Sequence, residues 1–333
     1  MSKVGIIGAG TWGLALANLL DTNGHDVTVY ARNSIQVVSL SKERKCDKLP
    51  GLYLSEKILF TNLIDEALED KDAIIYALPS NAFREVVKST IKKTKGTEYL
   101  ITVTKGMEDK TLYTMSEIIE DELKKNRIKN NKVAALSGPT HAEEVAIAMP
   151  TMAVAASKSI KVAKFVQDLF MNENFRVYTN TDIKGVEVCA AFKNVIALAT
   201  GVVDGLGYGD NVKAGLITRG LAEMVRVGKV LGCKKDTFYG LAGVGDMIVT
   251  ATSLHSRNYR CGVLIGKGQK RDRAIKEIGM VVEGINFIPK AIRIKRKYKL
   301  DLPITSAMDD IVMKEKDPKE IALLLMKRKR KSE

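Results

Sequence analysis

The first half of the chain alternates short apolar runs, rich in Val and Ile, with longer segments of helical periodicity. Each run ends in a polar, glycine or proline turn. A helix over Thr11–Leu20 separates the first two runs and ends at Asn23-Gly24. This alternation predicts an α/β fold with a parallel sheet. The runs that predict strands are Val4–Ile7, Val27–Tyr30, Ala73–Leu78, Tyr99–Val103, Val133–Leu136, Met152–Ala156 and Phe175–Tyr178.

The pattern changes near residue 180. Beyond it, the segments 186–200, 212–231 and 289–299 carry apolar residues at helical spacing, and runs of β type become scarce. A chain of 333 residues is also too long for one compact core. We therefore expect two domains, residues 1–180 with the sheet and residues 181–333 mostly α-helical.

A glycine-rich turn joins the first predicted strand to the first predicted helix. Its sequence, Gly8-Ala9-Gly10-Thr11-Trp12-Gly13, is G-x-G-x-x-G. In this setting Gly8 permits a tight turn, Gly10 lets the backbone approach a pyrophosphate, and Gly13 lets helix and strand pack closely. The helix N-terminus adds N–H groups and a positive dipole end for the phosphates. The N-terminal domain is thus predicted to be a Rossmann-type domain that binds a dinucleotide.

The end of the second predicted strand bears on the choice between NAD and NADP. An acidic residue there would bind the ribose 2′-hydroxyl. The chain instead has Tyr30-Ala31-Arg32-Asn33, and Asp26 stands at the opposite end of the strand. Arg32 suits a charge-assisted contact with a 2′-phosphate. The pattern favours NADPH, with NAD left open.

Composition narrows the class of protein. With 45% hydrophobic and 28% charged residues the chain is globular rather than disordered. It is expected to contain no apolar run near the eighteen residues of a membrane span, and no signal peptide. The four cysteines form no C-x-x-C pair, so neither zinc nor a disulfide framework is indicated. We expect a soluble protein of the reducing cytoplasm, without a metal.

The net charge of +14 is spread along the chain except for the run 327–331. A nucleic-acid-binding module would show a localised basic face with interleaved aromatic residues, but only 6% of the residues are aromatic. The basic run follows a short predicted helix with Asp317 as N-cap and Pro318 at the first helical position. A solvated tail at a helix C-terminus is favoured over a binding arm.

Lys193 is the leading candidate for proton transfer. It lies in an apolar helical run between Phe192 and Val195, so burial is expected. Burial lowers an ammonium pKa from about 10.4 toward the operating pH, as a proton donor to a ketone requires. His141 and His255 have no evident orienting carboxylate and rank below Lys193, while His25 is expected to be structural.

Three further segments carry polar groups suited to a substrate. Thr104-Lys105-Gly106 follows the fourth predicted strand, at the carboxyl end of the sheet, where ligands bind in open α/β folds. Asp246 follows the turn Gly243-Val244-Gly245, either as a site residue or as a turn carboxylate. Ser256-Arg257-Asn258 offers a guanidinium and two neutral hydrogen-bonding groups, which suit a phosphate.

These residues together resemble the soluble, bacterial-type NAD(P)-dependent sn-glycerol-3-phosphate dehydrogenases, which reduce dihydroxyacetone phosphate. The resemblance runs from residue 8 to about 284, with Thr140 where serine is common. The matching segments are Gly8–Gly13, Thr104–Gly106, Ser137–Glu143, Phe192–Val195, Asp204–Gly207, Gly209–Asn211, Thr218–Gly220, Gly240–Asp246, Ser256–Asn258 and Val282–Gly284.

The resemblance implies a Rossmann domain followed by an all-helical domain, and a role in making the glycerol phosphate backbone of membrane lipids. Lys193 would donate the proton in ketone reduction. The substrate-binding residues that it implies are Lys105, Gly138, Thr140, Lys193, Asp246, Ser256, Arg257 and Asn258. The implied cofactor contacts are Thr11, Trp12, Arg32, Lys105, Ala142, Arg257, Val281 and Glu283, beside Gly8, Gly10 and Gly13.

Another two-domain β-hydroxyacid-type dehydrogenase stays open as an alternative. That enzyme would need an anchor for a carboxylate rather than for a phosphate. The sequence does not set the oligomeric state, and a homodimer stays open as well.

Overall fold

The structure, a computed structural model, describes residues 1–130 and 132–330. The chain forms two compact units, Met1–Glu187 and Val188–Glu333. This division lies just beyond the boundary expected after residue 180. The first unit holds a sheet with helices, and the second is built from helices and helical turns in its described part.

The sheet of the first unit has the strand order β3-β2-β1-β4-β5-β6-β7-β8. The predicted α/β class is confirmed: β1 to β6 are parallel. The structure adds that β7 runs antiparallel to β6, and β8 parallel to β7. The strands are β1 Lys3–Ile7, β2 Asp26–Tyr30, β3 Leu59–Thr61, β4 Ala73–Tyr76, β5 Tyr99–Thr102, β6 Val133–Ser137, β7 Thr151–Ala156 and β8 Phe175–Asn180.

Alternation within the strands divides their side chains between the two faces of the sheet. In β4, Ala73 and Ile75 belong to one buried cluster, whereas Ile74 and Tyr76 belong to the other. All four are fully buried, as expected for a central parallel strand covered on both faces. The sequence prediction missed β3, an edge strand of three residues whose first residue, Leu59, is half exposed.

The helices of the first unit cover the sheet, and those of the second pack on one another. The first set is α1 Thr11–Thr22, α2 Ser34–Glu43, α3 Phe83–Thr90, α4 Met115–Lys125, α5 Ala142–Ala146 and α6 Ile160–Phe170. Helix α7, Ile183–Gly205, runs from one unit into the other. The second set is α8 Asp210–Val230, α9 Asp246–Thr252, α10 Arg257–Gly266, α11 Arg271–Ile278, α12 Glu283–Tyr298, α13 Pro303–Met308 and α14 Pro318–Met326.

Two of these helices correct the sequence prediction. Helix α12 begins at Glu283 rather than at Pro289, so the proline lies inside the helix. The helix continues through Pro289 because buried residues on both sides of it, including Ile288 and Ile292, pack along one face. Helix α7 is long and apolar enough to cross a membrane by length and composition, so the expectation of no such run is wrong. Its most apolar window is entirely buried in the protein, as in a core helix.

Helices α7 and α10 touch backbone to backbone. A Cβ on Gly201 of α7 would lie 2.1 Å from the carbonyl oxygen of Tyr259 in α10, and one on Gly262 of α10 would lie 2.2 Å from that of Leu198 in α7. Gly205 and Gly266, one turn further along each helix, are equally confined. Two G-x-x-x-G pairs therefore face each other, and no side chain larger than hydrogen fits between the helices.

Replacing Gly262 by alanine should lower the free energy of unfolding by about 2 kcal/mol, because overpacking outweighs the ~1 kcal/mol gained in helix propensity. Gly215→Ala is the matched control, because Gly215 also lies inside a helix but a Cβ there would meet no atom within 4 Å. Urea denaturation of the two variants measures the difference. If the two variants were equally stable, α7 and α10 would move apart to accept the added methyl group without any loss in the free energy of unfolding.

Candidate functional site

The glycine turn after β1 has the geometry that a pyrophosphate requires. Gly8 has φ +122°, and a Cβ on it would lie 2.3 Å from the carbonyl oxygen of Ala77. A Cβ on Gly13 would lie 2.1 Å from the carbonyl oxygen of Gly8, whereas one on Gly10 would meet no atom within 4 Å. The turn is thus packed at Gly8 and Gly13 and open at Gly10, where the N-terminus of α1 presents its first N–H groups.

Two side chains complete this turn. The amide of Gln36 in α2 donates to the carbonyl oxygen of Ala9 at 2.8 Å and so fixes the turn. Trp12 packs against the core, and among the described residues its indole Nε1 is one of the buried polar atoms without a hydrogen-bond partner. The sequence analysis did not find Gln36, since nothing in its local pattern marks it. The open backbone at Gly10 and the orphaned donor of Trp12 fit a bound dinucleotide.

Asp26 and Arg32, which the sequence analysis considered for the choice of cofactor, lie at opposite ends of β2. Asp26 begins β2, at the strand end opposite the glycine turn. Arg32 is exposed just after the strand, and Asn33 caps α2 by accepting from the N–H of Ile35 at 2.9 Å. The predicted positions of Asp26 and Arg32 are therefore those seen in the structure, and no carboxylate stands at positions 30–33.

Lys105, Gly138 and Thr140 meet at the carboxyl ends of β5 and β6. The ammonium of Lys105 donates to the carbonyl oxygen of Gly138 at 3.1 Å and lies 3.5 Å from the Thr140 hydroxyl. Gly138 has φ +140°, and a Cβ there would press on Ala153 of β7. Ala142, another predicted cofactor contact, is the buried first residue of α5. The structure thus brings together the site residues that the sequence predicted in this part of the first unit.

A group of ion pairs holds the segment that follows Lys105. Arg84 of α3 donates to both carboxylate oxygens of Glu108, and its Nη1 also pairs with Asp121 and Glu122 of α4. Burial acts to raise the pKa of Glu108, but the hydrogen bonds from Arg84 and Thr111 hold it below its ordinary value. The sequence analysis missed Arg84 because its partners lie 24 to 38 residues away along the chain. This network ties the Lys105 segment to α3 and α4.

Glu187 connects the first turns of α7 to the N-terminus of α4. Its carboxylate accepts from the Ser116 N–H at 2.8 Å and from the Ser116 hydroxyl. Burial raises the pKa of Glu187 to about 7, although both hydrogen bonds from Ser116 act in the opposite direction. The helix that carries Lys193 is therefore anchored at its start by a buried carboxyl group.

In the second unit, Lys193 forms a buried ion pair. Its ammonium donates to a carboxylate oxygen of Asp246 in α9 and to the Thr250 hydroxyl at 2.7 Å. The exposed fractions of the Lys193 and Asp246 side chains are only 5% and 1%. The predicted burial of Lys193 is thus present, together with a carboxylate that stabilises its charged form. Thr250 was missed, one turn beyond Asp246.

A chain of hydrogen bonds joins α7, α10 and α12 beside this pair. Asn258 donates to the side-chain oxygen of Asn194 at 2.9 Å and accepts from the N–H of Gly284 at 2.8 Å. A Cβ on Gly284 would lie 2.6 Å from the carbonyl oxygen of Asn194, so only glycine permits this approach. Asn194, directly after Lys193, is therefore fixed against the segment that carries Arg257.

The remaining predicted residues lie at helix N-termini. Ser256 is the N-cap of α10 and accepts from the N–H of Tyr259 at 3.2 Å, so the structure gives its hydroxyl a capping role. Arg257 follows as the first residue of α10 and is partly exposed. Glu283 opens α12, and Val281 is exposed before it. A guanidinium at a helix N-terminus is an arrangement suited to an anion.

The three histidines have different surroundings. His25 bridges the N–H of Ser2 and the carbonyl oxygen of Leu169, and burial lowers its pKa. His141 is at the N-cap position of α5, and His255 is exposed. The expected structural role of His25 is therefore what the contacts indicate.

The two units carry different parts of a dehydrogenase. The first has a turn for a dinucleotide and a partly buried lysine at the carboxyl edge of its sheet. The second has a buried ammonium with a carboxylate partner, linked through two asparagines to an arginine at a helix N-terminus. A proton donor and an anion anchor are what reduction of an anionic ketone requires.

Comparison with known proteins agrees with this chemistry. Two family models match: the NAD-dependent glycerol-3-phosphate dehydrogenase N-terminus over residues 3–163, and the C-terminus of the same enzyme over residues 182–323. The glycerol-3-phosphate dehydrogenase [NAD(P)+] 2 of Lactobacillus delbrueckii is 50% identical over 100% of this chain and 99% of its own length. The corresponding enzyme of Fusobacterium nucleatum is 45% identical, again over 100% and 99%.

Comparison with a solved structure indicates the same family. The crystal structure of glycerol-3-phosphate dehydrogenase from Coxiella burnetii superposes with a TM-score of 0.92, at 33% identity, over 98% of this chain and 99% of that one. Full-length identity at this level, together with matches in both halves, is decisive for the family. The chain belongs to the NAD(P)-dependent glycerol-3-phosphate dehydrogenases, and is a nicotinamide-dependent oxidoreductase that acts on a small molecule.

Proposed function

We propose that the chain reduces dihydroxyacetone phosphate to sn-glycerol 3-phosphate, reversibly, in the cytoplasm, and so supplies the backbone of glycerophospholipids. The observation that carries this proposal is the buried Lys193–Asp246 pair, joined through Asn194 and Asn258 to the helix that begins at Arg257. These contacts support the proposal, because Lys193 would serve as the acid for the ketone oxygen and Arg257 as the cation for the phosphate, on linked elements of one unit.

Lys193 acts as the proton donor. Its ammonium gives a proton to the ketone oxygen as that oxygen gains charge, and takes it back in the reverse direction. Asp246 holds the donor in its charged form and keeps it oriented, with Thr250 as a second fixed partner. Arg257 binds the phosphate, and Asn258 keeps the N-terminus of α10 in place. Lys105, Gly138 and Thr140 form the proposed substrate contacts of the first unit.

A nicotinamide dinucleotide bound in the first unit would supply the hydride for reduction of the ketone. Gly8, Gly10, Gly13 and the first turn of α1 would hold its pyrophosphate. The other residues proposed to contact the cofactor are Thr11, Trp12, Arg32, Lys105, Ala142, Arg257, Val281 and Glu283. Arg32 is proposed to select NADPH over NADH.

The experiment that tests the activity is the loss of NADPH absorbance on addition of dihydroxyacetone phosphate, with chiral analysis of the product. Formation of sn-glycerol 3-phosphate is expected. Failure to oxidise NADPH or NADH with this ketone, combined with turnover of a β-keto acid, would overturn the proposal in favour of a β-hydroxyacid dehydrogenase.

Replacing Arg32 by alanine should raise KM for NADPH by at least ~10-fold and change KM for NADH little, because only NADPH carries a 2′-phosphate for the guanidinium. Steady-state kinetics with each cofactor measures both values. Lys42→Ala, an exposed change at the other end of α2, controls for the general loss of positive charge. Equal effects on both cofactors would show that Arg32 does not read the 2′-phosphate.

A further inference from the structure

The last described helix, α14, is apolar on its outward side as well as on its inward side. Ile321 is buried in the second unit, whereas Leu323, Leu324 and Met326 are 53%, 61% and 81% exposed. The helix is well formed: Asp317 caps it by accepting from the N–H groups of Lys319 and Glu320, as predicted. Three large aliphatic side chains exposed within four residues form a cluster of the kind that marks an interaction site.

A basic run begins directly after this cluster. Of the predicted run 327–331, the structure describes Lys-Arg-Lys-Arg at 327–330, and these four residues are the basic run of the proposed surface; Lys331 lies outside the described residues. Arg328 pairs with both carboxylate oxygens of Asp301 at 3.0 Å, which fixes the start of the run beside the end of α12. That end carries Arg296, Lys297 and Lys299. All three side chains are exposed. Positive charge from the ends of α12 and α14 therefore lies next to the aliphatic cluster.

We propose that α14 and the basic run dock the protein on an anionic lipid surface. Leu323, Leu324 and Met326 enter the boundary between headgroups and acyl chains, while the basic side chains lie at the level of the lipid phosphates. An amphipathic segment of this kind, with one apolar signal and one polybasic signal, binds membranes reversibly.

The same features argue against two other partners for this surface, single-stranded nucleic acid and a second copy of the chain. Single-stranded nucleic acid is held by aromatic stacking platforms, and the exposed cluster is wholly aliphatic. A second copy of the chain, joined through the same patch by a two-fold axis, would bring two runs of four positive charges together. An anionic bilayer instead satisfies both the aliphatic side chains and the charge.

The test is co-sedimentation of the full-length protein with vesicles of phosphatidylcholine containing phosphatidylglycerol, against vesicles of phosphatidylcholine alone. Binding is expected only to the anionic vesicles and should weaken as salt is raised, because the attraction is screened. Two variants separate the contribution of the aliphatic cluster from that of the basic run. One carries Leu323→Ser and Leu324→Ser, and the other carries Lys327→Gln, Lys329→Gln and Arg330→Gln, with Arg328 kept for its pair with Asp301.

Each variant should bind at least tenfold more weakly while keeping its dehydrogenase activity. The matched control carries Lys92→Gln, Lys161→Gln and Lys164→Gln, three exposed lysines of the first unit, and should bind as the unchanged protein does. The proposal is overturned if no vesicles are bound, or if the control loses as much binding as the basic variant. It is equally overturned if the leucine variant abolishes a dimer in sedimentation velocity, or the basic variant abolishes RNA binding, without any change at vesicles.

Discussion

Substitution of Lys193 by alanine is expected to lower kcat by at least ~10², the ordinary contribution of a positioned acid. The ammonium is the buried group paired with Asp246, and water entering in its place would be neither charged nor fixed. Binding of NADPH should change little, because the dinucleotide turn belongs to the first unit. Trp12 is the only tryptophan of the chain and lies in that turn, so quenching of its fluorescence measures cofactor binding separately from turnover.

The alanine variant also leaves Asp246 buried without its cation, which costs stability. Lys193→Met with Asp246→Asn removes both charges and should be as inactive as the single variant, but more stable than it. Lys295→Met, a change at a partly buried lysine that donates to Ser306 of α13, is the control for losing a lysine in this unit. A Lys193→Ala enzyme that turned over at a near-normal rate would remove Lys193 from the acid role.

Arg257→Lys should cost about 2 kcal/mol or more in kcat/KM for dihydroxyacetone phosphate, since it keeps the charge but loses the bidentate guanidinium. The phosphate must supply binding energy that positions the carbonyl, so unphosphorylated dihydroxyacetone should be a very poor substrate of the unchanged enzyme. The variant should lose most of its preference for the phosphate ester.

The measurement is kcat/KM for both ketones with both enzymes. Arg260→Lys, an exposed substitution one turn along the same helix, should leave both values unchanged. If the unchanged enzyme reduced dihydroxyacetone about as well as its phosphate, the anion anchor would be misassigned and the proposed substrate with it.

The local periodicity of apolar residues was sufficient to predict most strands and helices of the fold. The strand β1 beyond Lys3 and the strand β4 are continuous apolar runs because the sheet is covered on both faces, and such runs are visible in a sequence. β3 was missed because an edge strand of only three residues leaves almost no pattern. The start of α12 was misplaced because Pro289 usually begins a helix, and the buried face that carries the helix through it is a tertiary feature.

The candidate site was predictable where chemistry is concentrated in short motifs. The glycine turn, Lys193 and the segment 256–258 all stand out by residue type. Arg84, Gln36 and Thr250 do not, because they act through partners that only folding brings near. The pairing of Lys193 with Asp246 is of the same kind: 53 residues separate two motifs whose meeting no local pattern predicts.

The glycine contact between α7 and α10 fixes the distance between the backbones of these two helices. Lys193 stands eight residues before Gly201 on one helix, about 12 Å at 1.5 Å per residue, and Arg257 stands five residues before Gly262 on the other. Their spacing is therefore set by two backbones in contact and not by packed side chains that can change rotamer. A ketone phosphate one carbon longer would misplace its carbonyl by about 1.5 Å, and a misplacement of ~1 Å can cost ~10²-fold in rate. With Lys193 and Arg257 in their proposed roles, a longer substrate would require one of these side chains, rather than either helix, to adjust.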